Sequence, residues 1–76
     1  MKTTIYLVMR GKSLLEGIQG RSERDAHVQL GRYLLPIDIA FDGATLYEVG
    51  RQACLPMNKY SVVSVDVVLP DTEFQG

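Results

Sequence analysis

Residues 37–50 read IDIAFDGATLYEVG, and this stretch decides how many strands the chain is predicted to form. Its first part, residues 37–41, alternates apolar and polar side chains, which is typical of a strand with one buried face. The Asp42-Gly43 pair that follows is among the strongest local signals for a hairpin turn. Residues 44–49 are therefore predicted to return as the second strand of a hairpin.

A short helix over residues 45–54 is the competing interpretation of the same stretch. Three apolar side chains would then share one side of that helix: Leu46, Val49 and Ala53. Gly50 would lie in the helix interior, where glycine costs about 1 kcal/mol relative to alanine. We therefore favour the hairpin, followed by a long loop over residues 50–58, and keep the helix as the alternative.

Two strands are predicted ahead of this stretch. Residues 3–10 are rich in β-branched and aromatic side chains, and Gly11-Lys12 suits a tight turn into a weaker strand over residues 14–19. The first strand carries apolar side chains on both faces, Ile5, Leu7 and Met9 on one and Tyr6 and Val8 on the other. We expect the first of these two faces to point inward.

A helix is predicted over residues 23–35. Ser22 can cap its first turn, where Glu23 and Asp25 suit the positive end of the helix dipole, and Pro36 stops it. Four apolar side chains are predicted to point inward: Ala26, Leu30, Tyr33 and Leu34.

The last and strongest strand is predicted over residues 60–69, before Pro70-Asp71. One face of this strand carries Ser61, Val63, Val65, Val67 and Leu69. The predicted fold is thus a single α+β domain over residues 1–76. It has an antiparallel or mixed sheet of about five strands and one helix packed on one face, in the order β-β-α-β-β-β.

One helix of this length cannot cover both faces of a five-stranded sheet. The uncovered face is expected to carry Tyr6, Val8, Val62 and Val68. Such an apolar face predicts a partner, which is another protein or a second copy of the chain. The alternative is that the sheet curls, or that the loop over residues 50–58 folds beneath it.

Composition narrows the classes of protein to which the chain can belong. The net charge of −1 argues against a general nucleic-acid binder, and a single cysteine excludes an intrachain disulfide. The charges are unevenly distributed, with six cations against three carboxylates in residues 1–36 and two against six in residues 37–76. No apolar run approaches the length of a membrane span, and the first residues lack a signal-peptide pattern, so a cytoplasmic location is expected.

No residue pattern predicts catalysis or a cofactor. Gly11-Lys12-Ser13 lacks the upstream glycine and the following helix of a phosphate-binding loop. His27 has Glu23 four residues before it, but this single pair is half of a metal site at best, and Cys54 has no histidine close in sequence. Three carboxylates that could hold a cation are better explained by a turn and by solubility: Asp38, Asp42 and Glu48. The chain is predicted not to be an enzyme, with no metal and no cofactor.

The candidate contact residues are three of the four tyrosines, two residues of the apolar segment near residues 53–57 and four basic residues of the N-terminal half. They are Tyr6, Arg10, Lys12, Arg21, Arg24, Tyr47, Leu55, Met57 and Tyr60. These residues predict a small non-catalytic protein-binding module. Its expected role is that of a stand-alone inhibitor or adaptor, for example an anti-defence (anti-CRISPR-type) protein of a phage or mobile element. The alternative is a small nucleic-acid-contacting domain or a toxin-like RNase that uses the basic N-terminal half.

Overall fold

The computed structural model describes residues 1–68 as a three-stranded antiparallel sheet with two helices. In chain order the elements are β1 (Lys2–Arg10), β2 (Ser13–Gly20), α1 (Glu23–Leu34), α2 (Gly43–Ala53) and β3 (Tyr60–Val68). The α+β class is confirmed, but the prediction of five strands and one helix is wrong, because the order is β-β-α-α-β. Leu69, the last residue of the predicted final strand, lies outside the described residues. In this part of the chain neither helix has the length and apolar character to cross a membrane.

The sheet has the order β2-β1-β3, with β1 at its centre. The β1–β3 ladder is unbroken from the Lys2–Val68 pair to the Arg10–Tyr60 pair. The β1–β2 ladder shifts register where β2 contains Gly17, whose φ of 83° is a conformation that glycine adopts readily. The sheet is therefore regular on its β3 side and bulged on its β2 side.

The predicted start of α1 is confirmed. The Ser22 hydroxyl accepts a hydrogen bond of 3.0 Å from the backbone N–H of Asp25, so it caps the helix. The helix ends at Leu34, one residue earlier than predicted, because Leu35 is extended ahead of Pro36. Only two of the four side chains predicted to point inward are buried: Ala26 and Leu30.

The predicted hairpin over residues 37–49 is wrong. Asp42 caps α2 by accepting a hydrogen bond of 2.8 Å from the backbone N–H of Thr45. Gly43, which was expected to be a turn residue, is the first residue of α2. Residues 37–41 form no strand, and Ile37 is fully exposed. The competing helix is the structure that forms, two residues ahead of the predicted start.

Two glycines allow α1 and α2 to pack with their backbones in contact. A Cβ atom at Gly50 would overlap with the carbonyl oxygen of His27, and one at Gly31 would overlap with that of Leu46. The gain from this close packing outweighs the low helix propensity of Gly50, which had argued for the hairpin. Gly50 lowers the intrinsic helix propensity of α2, but α2 requires it in order to pack closely against α1.

The hydrophobic core lies between the helices and one face of the sheet. Leu46 is nearly buried where α2 meets Gly31 of α1. Val8, Ala26 and Leu30 are fully buried and form the core cluster. Tyr6 and Val62 pack against this cluster. α1 and the end of α2 therefore cover Tyr6, Val8 and Val62 of the face that was predicted to be open, whereas Val68 at the far end of β3 is 77% exposed.

The opposite face of the sheet has no covering element within residues 1–68. It carries the apolar side chains Ile5, Leu7, Met9, Leu14, Val63, Val65 and Val67. An uncovered apolar face was expected, but its assigned residues were wrong. The reason is that both faces of β1 and β3 are apolar, so alternation does not show which face the helices choose.

Candidate functional site

Three of the nine predicted contact residues line one groove on the surface: Arg10, Met57 and Tyr60. The groove has a volume of about 490 Å³ and lies where the C-terminal ends of both helices meet the end of the sheet. Its remaining lining residues are Leu34, Val49, Gln52, Ala53, Asn58 and Lys59. We call it the Met57 groove.

Met57 is the most exposed apolar side chain of the groove, with 86% of its surface accessible. Around it, Leu34 is partly exposed, whereas Ala53 and Tyr60 also pack against the core. The walls of the groove are therefore apolar and partly packed against the core, and the flexible thioether of Met57 is exposed to solvent.

Hydrogen bonds hold the loop that carries Met57. The Asn58 side-chain amide donates to the carbonyl of Gln52 at 2.7 Å, and the Asn58 backbone N–H donates to the carbonyl of Leu55 at 2.8 Å. On the other side, the Gly11 N–H donates to the carbonyl of Lys59 at 2.8 Å. The loop is thus tied both to the end of α2 and to the β1–β2 turn, so the position of Met57 is set by the backbone.

Two cations stand at the rim of the Met57 groove. Arg10 lies directly opposite Tyr60 on the β1–β3 ladder, which brings its guanidinium carbon to 5.9 Å from the centre of the tyrosine ring. Lys59 is exposed beside them. In the described part of the chain the ion pair joins Lys2 and Asp66, so neither rim cation has a carboxylate partner there.

Tyr47 and Arg24 belong to a separate cluster between the helices. The guanidinium carbon of Arg24 lies 4.4 Å from the centre of the Tyr47 ring, and that of Arg51 lies 5.9 Å from it. The His27 ring meets Tyr47 edge-on at 5.8 Å. This cluster cross-links the exposed sides of α1 and α2.

The four basic residues predicted as contacts do not form one patch. Arg10 and Lys12 flank the β1–β2 turn, whereas Arg21 and Arg24 follow the far end of β2. The two ends of β2 lie opposite Arg10 and Tyr6 of β1, so they separate the two pairs by about 14 Å along the sheet. Each pair therefore acts with different neighbours.

The remaining predicted contact residues lie outside the groove. Tyr6 packs against the core, Lys12 and Arg21 are exposed, and Leu55 is exposed at the edge of the loop after α2. The Arg21 backbone N–H donates to the Asp25 carboxylate at 3.0 Å, which ties the end of β2 to the start of α1.

The residues of α2 that line one wall of the groove were not predicted as contact residues from the sequence, and neither was Lys59. Val49, Gln52 and Ala53 occupy this wall. The helical spacing of Leu46, Val49 and Ala53 was the available signal, and it supported the competing helix over which the hairpin was favoured.

The titratable side chains with ordered partners have structural roles. His27 donates from Nδ1 to the backbone carbonyl of Glu23 at 2.9 Å. Burial raises the pKa of the Cys54 thiol, so the thiol is a poorer nucleophile near neutral pH than a free cysteine. Among residues 1–68 no three side chains of histidine, cysteine, aspartate or glutamate come together as a metal site. The groove is thus equipped for contact, through apolar surface and two cations.

Comparison of the chain with models of known protein families, with curated proteins and with solved structures finds no match.

Proposed function

We propose that the chain is a non-catalytic protein-binding module whose Met57 groove receives an apolar side chain from an acidic segment of another protein. The observation that carries this proposal is a methionine held in solvent beside two cations that have no carboxylate partner within residues 1–68. A hydrogen-bonded loop holds the backbone around Met57 in place, so little backbone order has to be gained on binding.

The chemistry of the groove supports a peptide or protein segment as the ligand. Tyrosine and arginine are enriched among the residues that dominate interface energies, and methionine adapts its shape to different apolar partners. Arg10 and Lys59 would attract carboxylates and orient the segment, while its apolar side chain packs against Met57, Val49 and Leu34.

The biological role that fits such a module is a stand-alone inhibitor or adaptor of a larger complex. An anti-defence protein of a phage or mobile element is one example, because such a protein acts by occupying a surface and needs no chemistry of its own. A contact surface of apolar side chains and cations, with no metal-type cluster among residues 1–68, supports this class, and the acidic partner segment would belong to the protein that is inhibited.

Nucleic-acid binding by the basic N-terminal half has less support. It would require a continuous cationic surface along the phosphate backbone. The separation of Arg10 and Lys12 from Arg21 and Arg24 along β2 divides that surface into two small parts.

Selection from a displayed library of random peptides tests the proposal. We expect enriched peptides to combine a large apolar residue with two or more carboxylates. Their affinity is expected to fall at least tenfold with Met57→Ser or with the double change Arg10→Glu and Lys59→Glu, and to fall with rising salt.

Arg32→Glu is the matched control, because it reverses an exposed charge near the end of α1 outside the Met57 groove. Enriched peptides without carboxylates, or binding that survives Met57→Ser and both charge reversals, would show that the groove is not the binding site.

A further inference from the structure

The outer edge of β3 has no neighbour within residues 1–68, since β3 is the last strand in the order β2-β1-β3. Proteins usually protect such an edge with proline, charges or bulges, because free N–H and C=O groups invite another strand to pair. β3 has none of the backbone devices. Its nine residues, YSVVSVDVV, contain no proline or glycine and pair with β1 without a break.

The single charge of β3 is engaged with β1. The Asp66 carboxylate accepts a hydrogen bond of 2.8 Å from the Thr4 hydroxyl and lies 3.8 Å from the Lys2 ammonium group. Both partners belong to the central strand, so the Asp66 carboxylate is directed toward β1. The outer edge of β3 therefore has no charged side chain of β3 that would hinder pairing.

The other edge strand, β2, is protected in several ways. Its ladder with β1 shifts register around Gly17, Glu16 carries a charge beside that glycine, and α1 packs against the strand. A bulge and a charge are typical edge protections. The two edges of the sheet therefore differ, and β3 is the one left open to pairing.

The exposure of apolar side chains on the uncovered face also indicates that the β3 edge is open to pairing. Val63 and Val65 each expose 39% of their surface, whereas Leu7, between two strands, is better shielded. A further strand beside β3 would cover the open flank of both valines.

We propose that β3 pairs antiparallel with β3 of a second copy, about a two-fold axis at Ser64, to form a six-stranded sheet. In this register Val63 lies opposite Val65 of the second copy, and Asp66 lies opposite Val62 of that copy. No like charges face one another, and the two copies together carry little net charge, since each has a formal charge of −1. The β3 edge can thus pair with the β3 edge of a second copy without placing like charges opposite one another.

Disulfide cross-linking tests the register, in a Cys54→Ser background that removes the native thiol. Ser64→Cys is expected to form a covalent dimer with oxidised glutathione, because directly opposed residues of an antiparallel pair have Cα atoms about 4.5–5.5 Å apart. Val68→Cys is the control, since it is an exposed position on the same strand and its two copies would lie about 26 Å apart.

Light scattering over a concentration series tests the pairing itself. The unmodified chain is expected to approach the mass of two 8.5-kDa chains. The double change Val63→Lys and Val65→Lys is expected to give a folded monomer, because the new positive charges would face one another across the axis. Leu14→Lys is the control on the same face at the β2 edge, and it is expected to remain dimeric.

Three outcomes overturn the proposal. The first is a monomer up to millimolar concentration, and the second is equal cross-linking of the two cysteine variants. The third is a dimer that dissociates with Leu14→Lys but persists with the double change Val63→Lys and Val65→Lys. The last outcome would instead indicate two sheets stacked through their apolar faces. Circular dichroism of each variant separates loss of pairing from loss of folding.

Discussion

Gly31 and Gly50 show how a missing side chain sets the distance between two helices. Each glycine places its α-carbon against a carbonyl of the other helix, Gly31 against Leu46 and Gly50 against His27. A side chain at either position would push the helices apart and open the layer above the core. Both glycines are therefore packing residues, and the propensity cost of Gly50 is offset by contact between the helices.

Alanine at Gly50 is predicted to destabilise the protein strongly. Its Cβ would overlap with backbone that cannot move aside without shifting α1, so we expect a loss of about 3 kcal/mol in the free energy of unfolding. Urea unfolding followed by circular dichroism measures this loss.

Gly43→Ala is the matched control, because a Cβ at Gly43 meets nothing within 4 Å and its φ is not positive. It is expected to change stability by less than about 1 kcal/mol, with stabilisation favoured. A large loss for Gly43→Ala would instead indicate the hairpin turn that the structure replaces with a helix.

At the scale of elements, α2 depends on the Asp42 cap. Hydrogen bonds from Thr45 hold the pKa of the Asp42 carboxyl below its ordinary value of 3.8. A carboxyl with a lowered pKa in the folded state stabilises that state above the unfolded-state pKa, and this contribution is lost as pH falls through the folded-state pKa. The cap is therefore expected to weaken only in acid.

Asp42→Asn is predicted to remove this pH dependence while keeping a capping side chain. The difference in unfolding free energy between the natural protein and the variant should be constant near neutral pH and shrink between about pH 5 and pH 2. Urea midpoints measured across this range test it. A difference that grows on acidification would contradict the assigned role of the carboxylate.

The other elements show which local signals suffice for prediction. The Ser22 cap, the Gly11 turn with its positive φ and the β-branched and aromatic composition of β1 each act through neighbouring residues, and the elements they predicted are present. For residues 37–53 the local signals conflicted. Asp42-Gly43 can open either a hairpin or a helix, and only the contact with α1 selects the helix.

At the scale of the whole molecule, the central feature is the choice of sheet face. Val8 and Val63 are both strand valines, yet Val8 is fully buried beneath the helices and Val63 lies on the uncovered face. Within residues 1–68 the helices lie on one face of the sheet and leave the other face apolar, and β1 has one neighbouring strand on each side. The protein is therefore expected to meet partners through surface that most small domains would bury.

The same substitution on the two faces tests this assignment. Val8→Ala is predicted to cost about 2 kcal/mol, because it removes two buried methyl groups and leaves a cavity. Val63→Ala is predicted to cost less than about 1 kcal/mol at low protein concentration, where each chain is alone. The opposite order of effects would place the core on the face that carries Ile5, Leu7 and Met9.

Sequence alone determined the α+β class, β1, β2, α1 and β3, since these elements follow from caps, turns and alternation within a few residues of chain. Three of the nine predicted contact residues also meet in the Met57 groove. Tertiary structure decided the rest: that residues 43–53 form a helix, which sheet face is covered, and which cations accompany Met57. Those outcomes depend on contacts between segments distant in sequence, chiefly the glycine-mediated approach of α1 and α2, and no local pattern reports the energy of such a contact.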